Sequence, residues 1–163
     1  MQMETSGSPK FGCRVTSPVI TVWHTDDDPS CRNLVAQLLN RVEGIRCARG
    51  FESAELLLNA LEVVAPPAVI LLDLNMKGMN GIDAIAPIKA IAGDNTAIII
   101  FTTFSDLYAE RLAVARGASA FLLKRAKVDD LVQTIRHYAD QSHTLKPRAA
   151  GIQIKELSVP ALC

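Results

Sequence analysis

The sequence contains few aromatic residues, no long apolar run and no excess of charge. Aromatic residues make up 5% of its 163 residues, and no apolar stretch approaches the roughly 20 residues of a membrane-spanning helix. Residues 1–10 are polar and lack the apolar region of a secretion signal. Seventeen basic and 17 acidic residues cancel, which gives no electrostatic basis for non-specific binding to nucleic acids or membranes. We therefore expect a cytoplasmic protein that binds neither a membrane nor DNA directly.

The cysteines also lack any spacing that is typical of a metal site or a redox pair. Cys31 and Cys47 fall at positions that we expect to be buried, where a cysteine acts as a small apolar residue. His24 lies within a predicted strand and is interpreted as a packed histidine, not as a ligand. The sequence contains neither a glycine-rich phosphate-binding loop nor a serine–histidine–aspartate set, which argues against P-loop proteins and serine hydrolases.

Short aliphatic strands and amphipathic helices alternate five times between residues 18 and 140. The strand patterns cover residues 19–24, 45–48, 68–72, 97–101 and 120–123, and apolar residues at helical spacing follow each one. This alternation predicts one α/β domain over 18–140, with a parallel sheet covered by helices on both faces. Residues 1–17 are predicted to form a flexible arm. Residues 141–163 are predicted to form a tail in which 152–157 either adds an edge strand or stays disordered.

Capping residues predict where several helices begin. Asp28 followed by Pro29 predicts the start of the first helix, and Leu34 is expected on its inner face. Ser105 is the predicted cap of the fourth helix. Pro87 falls inside the third helix, where the lost hydrogen bond, at a cost of about 3 kcal/mol, should bend or shorten the helix.

Polar side chains collect at the carboxyl ends of the predicted strands. Asp26 and Asp27 follow strand one, and Asp73 follows strand three. Thr102 follows strand four, and Lys124 follows strand five. Ligands of open α/β sheets bind beyond these strand ends, where the strand order reverses. We therefore expect an acidic cluster, a hydroxyl group and an ammonium group at one edge of the sheet.

Such a cluster suits a magnesium ion and a phosphoryl group. Three close carboxylates repel one another unless a cation joins them, and a site of oxygen ligands favours Mg²⁺. A lysine beside the carboxylates can contact a phosphoryl oxygen. A carboxylate whose charge is balanced in this way can attack phosphorus, so the residues favour phosphoryl acceptance over a structural role.

The same residues resemble the motifs of response-regulator receiver domains over about residues 19–138. The resemblance is carried by four segments, 25–29, 71–81, 101–103 and 117–124. Each segment alone is a weak signal, but the four occur in order and each lies at a predicted strand end. The resemblance implies a doubly wound, flavodoxin-like fold with strand order 2-1-3-4-5 and five helices.

The resemblance also implies a role for each acidic residue. It makes Asp73 the phosphoacceptor, and it makes Asp26, Asp27 and Asp73 the carboxylate ligands of Mg²⁺. The backbone carbonyl of Asn75 is implied as a further metal ligand. A sensor histidine kinase or a phosphotransfer protein is implied as the phosphoryl donor.

The remaining implied roles concern signalling. Thr102 corresponds to the hydroxyl that moves onto the phosphoryl group, Phe121 to the aromatic residue that turns with it, and Lys124 to the partner of a phosphoryl oxygen. The implied function is a phosphorelay receiver, not an enzyme, that changes its binding surface for a downstream protein or for a second copy of itself.

Two departures from the family pattern keep an alternative open. Lys77 and Arg125 stand where the family usually has proline, and a Lys124–Arg125 bond without proline is expected to be trans. The alternative is a receiver-like module that binds proteins without being phosphorylated. A third reading, an aspartyl phosphatase, is disfavoured because such enzymes usually carry a second acid at the position of Asn75.

Overall fold

The computed structural model describes residues 18–143, in which five strands alternate with five helices. In chain order these are β1 (Ile20–Thr25), α1 (Pro29–Leu39), β2 (Ile45–Phe51), α2 (Ala54–Val63), β3 (Val69–Leu72), α3 (Gly81–Ala92), β4 (Ala97–Thr102), α4 (Leu107–Ala115), β5 (Ala120–Leu123) and α5 (Val128–His143). The flexible arm predicted for 1–17 and the edge strand considered for 152–157 lie outside the described residues.

The five strands form one parallel sheet in the order β2-β1-β3-β4-β5. This arrangement confirms the predicted α/β class, the strand order and the five helices. Every residue of β3 and β4 is buried, because helices cover these central strands on both faces. Within residues 18–143, no helix is both long enough and apolar enough to cross a bilayer.

Alternation along the strands divides the core into two apolar clusters, one on each face of the sheet. Ile70, Leu72, Ile98 and Ile100 belong to the cluster that includes buried residues of α2, α3 and α4. The other face carries the intervening strand residues, packed with buried residues of α1 and α5 that include Val35, Leu39, Leu131 and Ile135. The sheet is therefore anchored from both sides, which fixes the positions of its strand ends.

The structure corrects several predicted details. The strand β2 continues to Phe51 instead of ending at residue 48, and α5 continues to His143 instead of ending near residue 138. Asp106, not Ser105, caps α4, because its carboxylate accepts a hydrogen bond from the backbone N–H of Tyr108 at 2.8 Å. Leu34 is 58% exposed, so the predicted inner face of α1 was too wide.

Pro87 was expected to bend or shorten the third helix, and it does not end the helix. The helix α3 runs for 12 residues, and Pro87 lies inside it. Its start is fixed by Asn80, whose side chain accepts a hydrogen bond from the N–H of Ile82 at 2.8 Å. Four buried residues of α3, including Ile85 and Ile88, hold the helix against the sheet despite the missing donor.

Gly81, the first residue of α3, packs against the loop that follows β3. Its N–H donates to the carbonyl oxygen of Leu74 at 3.1 Å. A Cβ atom at this position would overlap the carbonyl oxygen of Asp73 and would lie 2.9 Å from the Cα of Leu74. Only glycine therefore permits this approach of the helix to the backbone of Asp73.

We predict that Gly81→Ala lowers the free energy of unfolding by about 1–3 kcal/mol, because backbone atoms must move to admit the methyl group. Denaturant unfolding measures the change. Gly50→Ala is the matched control, since a Cβ atom there meets its nearest neighbour at an ordinary 3.6 Å, and its effect should stay within about 0.5 kcal/mol. Equal effects of the two substitutions would contradict the packing argument.

Candidate functional site

The carboxyl ends of β1, β3, β4 and β5 bring the predicted site residues to one edge of the sheet. Backbone hydrogen bonds continue just past the strand ends and hold this edge in register. The N–H of Asp73 donates to the carbonyl of Thr25 at 2.9 Å, and the N–H of Lys124 donates to the carbonyl of Thr102 at 2.8 Å. Residues distant in sequence are thus fixed beside one another by the sheet itself.

Three carboxylates and one ammonium group form the centre of this edge. Oxygen atoms of Asp26, Asp27 and Asp73 all lie within 4.8 Å of one another. Asp26 and Asp73 are buried, whereas Asp27 is half-buried. Lys124 Nζ lies 2.7 Å from Asp26 Oδ2 and 2.8 Å from Asp73 Oδ2. One ammonium group faces three carboxylates, so the cluster favours a further cation.

Backbone amides orient the two buried carboxylates. Asp73 Oδ1 accepts hydrogen bonds from the N–H groups of Leu74 at 2.7 Å and Asn75 at 3.4 Å. Asp26 Oδ1 accepts one from the N–H of Asp28 at 3.0 Å. Asp28 itself caps α1, since its Oδ1 accepts the N–H of Ser30 at 2.8 Å. The third acid of the motif is therefore a helix cap, while the first two face the cluster.

The site keeps Asp26 and Lys124 charged. Burial opposes ionisation of Asp26, but hydrogen bonds from Cys31 and Lys124 outweigh it and hold the pKa of Asp26 below its usual value. Burial likewise opposes the charged form of Lys124, yet its bonds to Asp26 and Asp73 raise the pKa of the ammonium group. The contact between Lys124 Nζ and Asp26 Oδ2, at 2.7 Å, is an ion pair.

The two predicted switch residues, Thr102 and Phe121, lie on the neighbouring strands β4 and β5. Thr102 ends β4 and is fully buried, and its Oγ1 accepts the N–H of Phe104 at 3.3 Å. Phe121 pairs with Ile100 across β5 and β4 and is only partly buried against the core. Asn75 is exposed in the loop after β3. Thr102 thus lies at the carboxyl edge of the sheet, whereas Phe121 lies within β5.

The two departures from the family pattern lie in the loops around this edge. Every peptide bond within the described residues is trans, so Lys124–Arg125 has the predicted geometry. Lys77 is exposed in the loop after β3. This loop is held by a hydrogen bond to a residue of α2. Glu55 Oε1 accepts the N–H of Met79 at 2.8 Å, which fixes the loop without a proline. Sequence patterns gave no signal for this long-range contact.

Three residues near Asp26 were not recognised from the sequence. The ring of His24 is fully buried, with Nε2 3.5 Å from Asp26 Oδ2. The thiol of Cys31 is half-buried and its sulfur lies within 4.8 Å of a carboxylate oxygen of Asp26, so Cys31 is not simply a small apolar residue of the core. The guanidinium group of Arg32 donates to the backbone carbonyl of Asp26. The expectation that Cys47 is buried is corrected too, because it is half-buried.

Burial determines the protonation of these neighbours. It lowers the pKa of His24 to about 4, against the opposing charge of Asp26, so the imidazole is neutral at neutral pH. Burial, helped by the hydrogen bond to Asp26, raises the pKa of the Cys31 thiol to about 12. Burial raises the pKa of Cys47 to about 11. Both thiols are therefore protonated and weakly nucleophilic.

Sequence comparison relates this chain to bacterial regulators. The response regulator receiver domain family matches residues 22–136. The DNA-binding transcriptional regulator NtrC of Klebsiella pneumoniae is 35% identical over 134 residues, which are 80% of this chain and 27% of NtrC. The nitrate/nitrite response regulator NarP of Escherichia coli is 38% identical over 128 residues, which are 76% of this chain and 56% of NarP. The chain thus spans between a quarter and just over half of these relatives.

Solved structures share the fold. The receiver domain of NarL from Mycobacterium tuberculosis has a TM-score of 0.69 at 22% identity, over 76% of this chain and 98% of that domain. The response regulator domain of CheB from Thermotoga maritima has a TM-score of 0.67 at 22% identity, over 75% and 97%. Because the family match covers most of the chain, this protein belongs to the response-regulator receiver-domain family of two-component signalling.

Proposed function

We propose that this chain accepts a phosphoryl group on Asp73 and thereby switches a protein-binding surface. The observation that carries the proposal is the position of Asp73 between Lys124 and two further carboxylates. Backbone amides hold Asp73 Oδ1, and Lys124 holds Oδ2. These contacts orient the carboxylate, which supports nucleophilic attack on phosphorus.

The donor would be a phosphohistidine of a sensor kinase or phosphotransfer protein, or a small acyl phosphate. An oxygen of Asp73 attacks phosphorus, and the bond between phosphorus and the donor breaks. The leaving imidazole or carboxylate takes up the released electron pair. Lys124 remains beside the phosphoryl oxygens and stabilises their charge, so most of the catalytic effect is positioning and electrostatics.

The donor set fits Mg²⁺. Asp26, Asp27 and Asp73 supply hard oxygen ligands, and their negative charge exceeds what Lys124 neutralises. These three residues would hold the ion, with the backbone carbonyl of Asn75 as a further ligand. When bound, Mg²⁺ would supply positive charge that offsets the repulsion between Asp73 and an incoming phosphoryl group.

The output would be a change in protein contacts and not catalytic turnover. Thr102 would turn its hydroxyl from the N–H of Phe104 to the phosphoryl group, and Phe121 would follow. The N-terminal part of α4 already exposes Leu107 and Tyr108, each 73% exposed. This surface would bind a downstream protein or a second copy of the chain in the cytoplasm, without direct contact between this domain and DNA.

The alternative, a module that is never phosphorylated, would need no ionised acceptor beside Lys124. We predict that an acyl phosphate with Mg²⁺ adds one phosphoryl group to the wild type and none to Asp73→Asn, as read by intact-protein mass spectrometry. Asp94→Asn is the matched control, because Asp94 is exposed and precedes β4 at the opposite edge of the sheet. Absence of the adduct from the wild type would favour the alternative.

A second prediction tests metal binding. Trp23, the single tryptophan, packs against Phe51, and the carbonyl of Phe51 accepts the N–H of Asp26. Mg²⁺ should therefore change Trp23 fluorescence with a saturable dependence. Asp27→Ala should weaken binding by at least about tenfold, since loss of an outer-shell partner alone can have that effect. Asp94→Ala should leave the curve unchanged. An unaltered curve for Asp27→Ala would remove Asp27 from the ligand set.

A third prediction concerns the lifetime of the phosphorylated state. Hydrolysis needs a water molecule in line with phosphorus, and Phe104 cannot orient one with its side chain. We expect the phosphoryl group of Phe104→Glu to decay several-fold faster than that of the wild type in a phosphate-release assay. Leu107→Glu, which adds the same charge to the exposed surface of α4, should decay at the wild-type rate. Equal rates in all three proteins would show that residue 104 does not face the site.

A further inference from the structure

The chain holds a second group of metal-ligating side chains on the other side of Asp26. His24, Asp26 and Cys31 each offer one ligand atom, and these atoms lie within 4.8 Å of one another. The group combines nitrogen, oxygen and sulfur donors. It differs in this respect from the neighbouring group of Asp26, Asp27 and Asp73, which offers oxygen alone.

The strongest observation is the unsatisfied imidazole. His24 is fully buried, yet neither Nδ1 nor Nε2 has a hydrogen-bond partner. A buried polar group without a partner is costly and is rare in folded proteins. Its ring contacts the edge of Phe101 at a centroid distance of 6.0 Å, which satisfies neither nitrogen. Alternation along β1 nevertheless directs His24 and Asp26 to the same side of the strand.

The distances suit one small ion. His24 Nε2 and Asp26 Oδ2 are 3.5 Å apart. Two ligands that share a tetrahedral Zn²⁺, with bonds of about 2.0–2.3 Å, are separated by about 3.5 Å. We propose that His24, Asp26 and Cys31 form a site for Zn²⁺ or a similar borderline transition-metal ion, and that this site excludes Mg²⁺ from the neighbouring acidic cluster.

The types of ligand atom in the two groups distinguish Zn²⁺ from Mg²⁺. Mg²⁺ prefers oxygen ligands in octahedral geometry, whereas imidazole and thiolate favour Zn²⁺. On binding, the Cys31 S–H bond breaks, its proton passes to solvent and the thiolate bonds the ion. Cys31 is half-buried, which gives an ion access to the two fully buried partners.

Asp26 makes the two sites mutually exclusive. Lys124 contacts both Asp26 Oδ2 and Asp73 Oδ2, so it can release Asp26 to an ion and keep its contact with Asp73. With Asp26 committed to Zn²⁺, the acidic cluster loses one of its three carboxylates. Zn²⁺ should therefore lower phosphoryl uptake by Asp73, a consequence that depends on the proposed function.

Direct binding tests the site itself. The reduced, metal-free chain is titrated with Zn²⁺ against a chromogenic indicator. We expect one tight equivalent in the wild type and a loss of at least about tenfold in affinity for His24→Leu and Cys31→Ala. Cys47→Ala is the matched control, since Cys47 is also a half-buried free thiol, and it should bind as the wild type does. Equal affinity in all four proteins would overturn the proposal and assign binding to other groups.

Two further measurements separate ligation from effects on folding. Co²⁺ in place of Zn²⁺ should give a thiolate charge-transfer band that is absent from Cys31→Ala, even if His24→Leu fails to fold. Asp27→Ala should weaken Mg²⁺ binding and bind Zn²⁺ as the wild type does. Absence of the band from the wild type would remove Cys31 from the site.

The effect of Zn²⁺ on phosphorylation is measured by mass spectrometry after the chain is treated with acyl phosphate and Mg²⁺. One equivalent of Zn²⁺ should reduce the phosphorylated fraction of the wild type but not that of Cys31→Ala. Unchanged phosphorylation of a Zn²⁺-loaded wild type would refute mutual exclusion. If the wild type is not phosphorylated even without Zn²⁺, the proposed function fails while the binding result stands.

Discussion

The contact of one ammonium group with two buried carboxylates is the constraint on which the site depends. Lys124 follows β5, Asp26 follows β1 and Asp73 follows β3, so their contacts connect three strand ends. A buried charge that loses its partner is strongly unfavourable, whereas the complete set is tolerated. The sheet must therefore hold these ends in register, and the two apolar clusters on its faces provide that rigidity. The geometry of the site therefore depends on the packing of the core.

The same constraint supports the proposed divalent ion. Lys124 cannot neutralise three carboxylates, and the remaining negative charge would repel a phosphoryl donor. Backbone amides help by holding one oxygen each of Asp26 and Asp73, but they carry no net charge. Asp28 is withdrawn from the cluster by its role as the cap of α1. The three consecutive acids thus divide into two that serve the site and one that begins the helix after it.

The sequence was sufficient for features that depend on local pattern. The bounds of β5 were predicted to the residue, and the strand ends carried the residues that meet in the site. The extension of β2 to Phe51 was not predictable, because Arg49 and Gly50 break the apolar pattern and are held by pairing with β1 across a register shift. The contact of Glu55 with Met79 and that of Cys31 with Asp26 join separate elements. Only the proximity of His24 to Asp26 could have been inferred from local sequence. His24 lies two residues before Asp26, and alternate residues along a strand point to the same side.

A short stretch of chain connects Thr102, at the edge of the sheet that carries the acidic cluster, with the exposed start of α4. Its hydroxyl oxygen accepts the N–H of Phe104, and the residues that follow lead directly into the exposed start of α4. In the proposed function, the hydroxyl would rotate to donate its hydrogen to the phosphoryl group, and this rotation would move the oxygen that accepts the N–H of Phe104. The adjoining Leu107 and Tyr108 are each 73% exposed, so a shift of these side chains would cost little core packing. Under the proposed function, a change in one hydrogen bond at Thr102 would thus reach the exposed start of α4, while the buried sheet stays fixed.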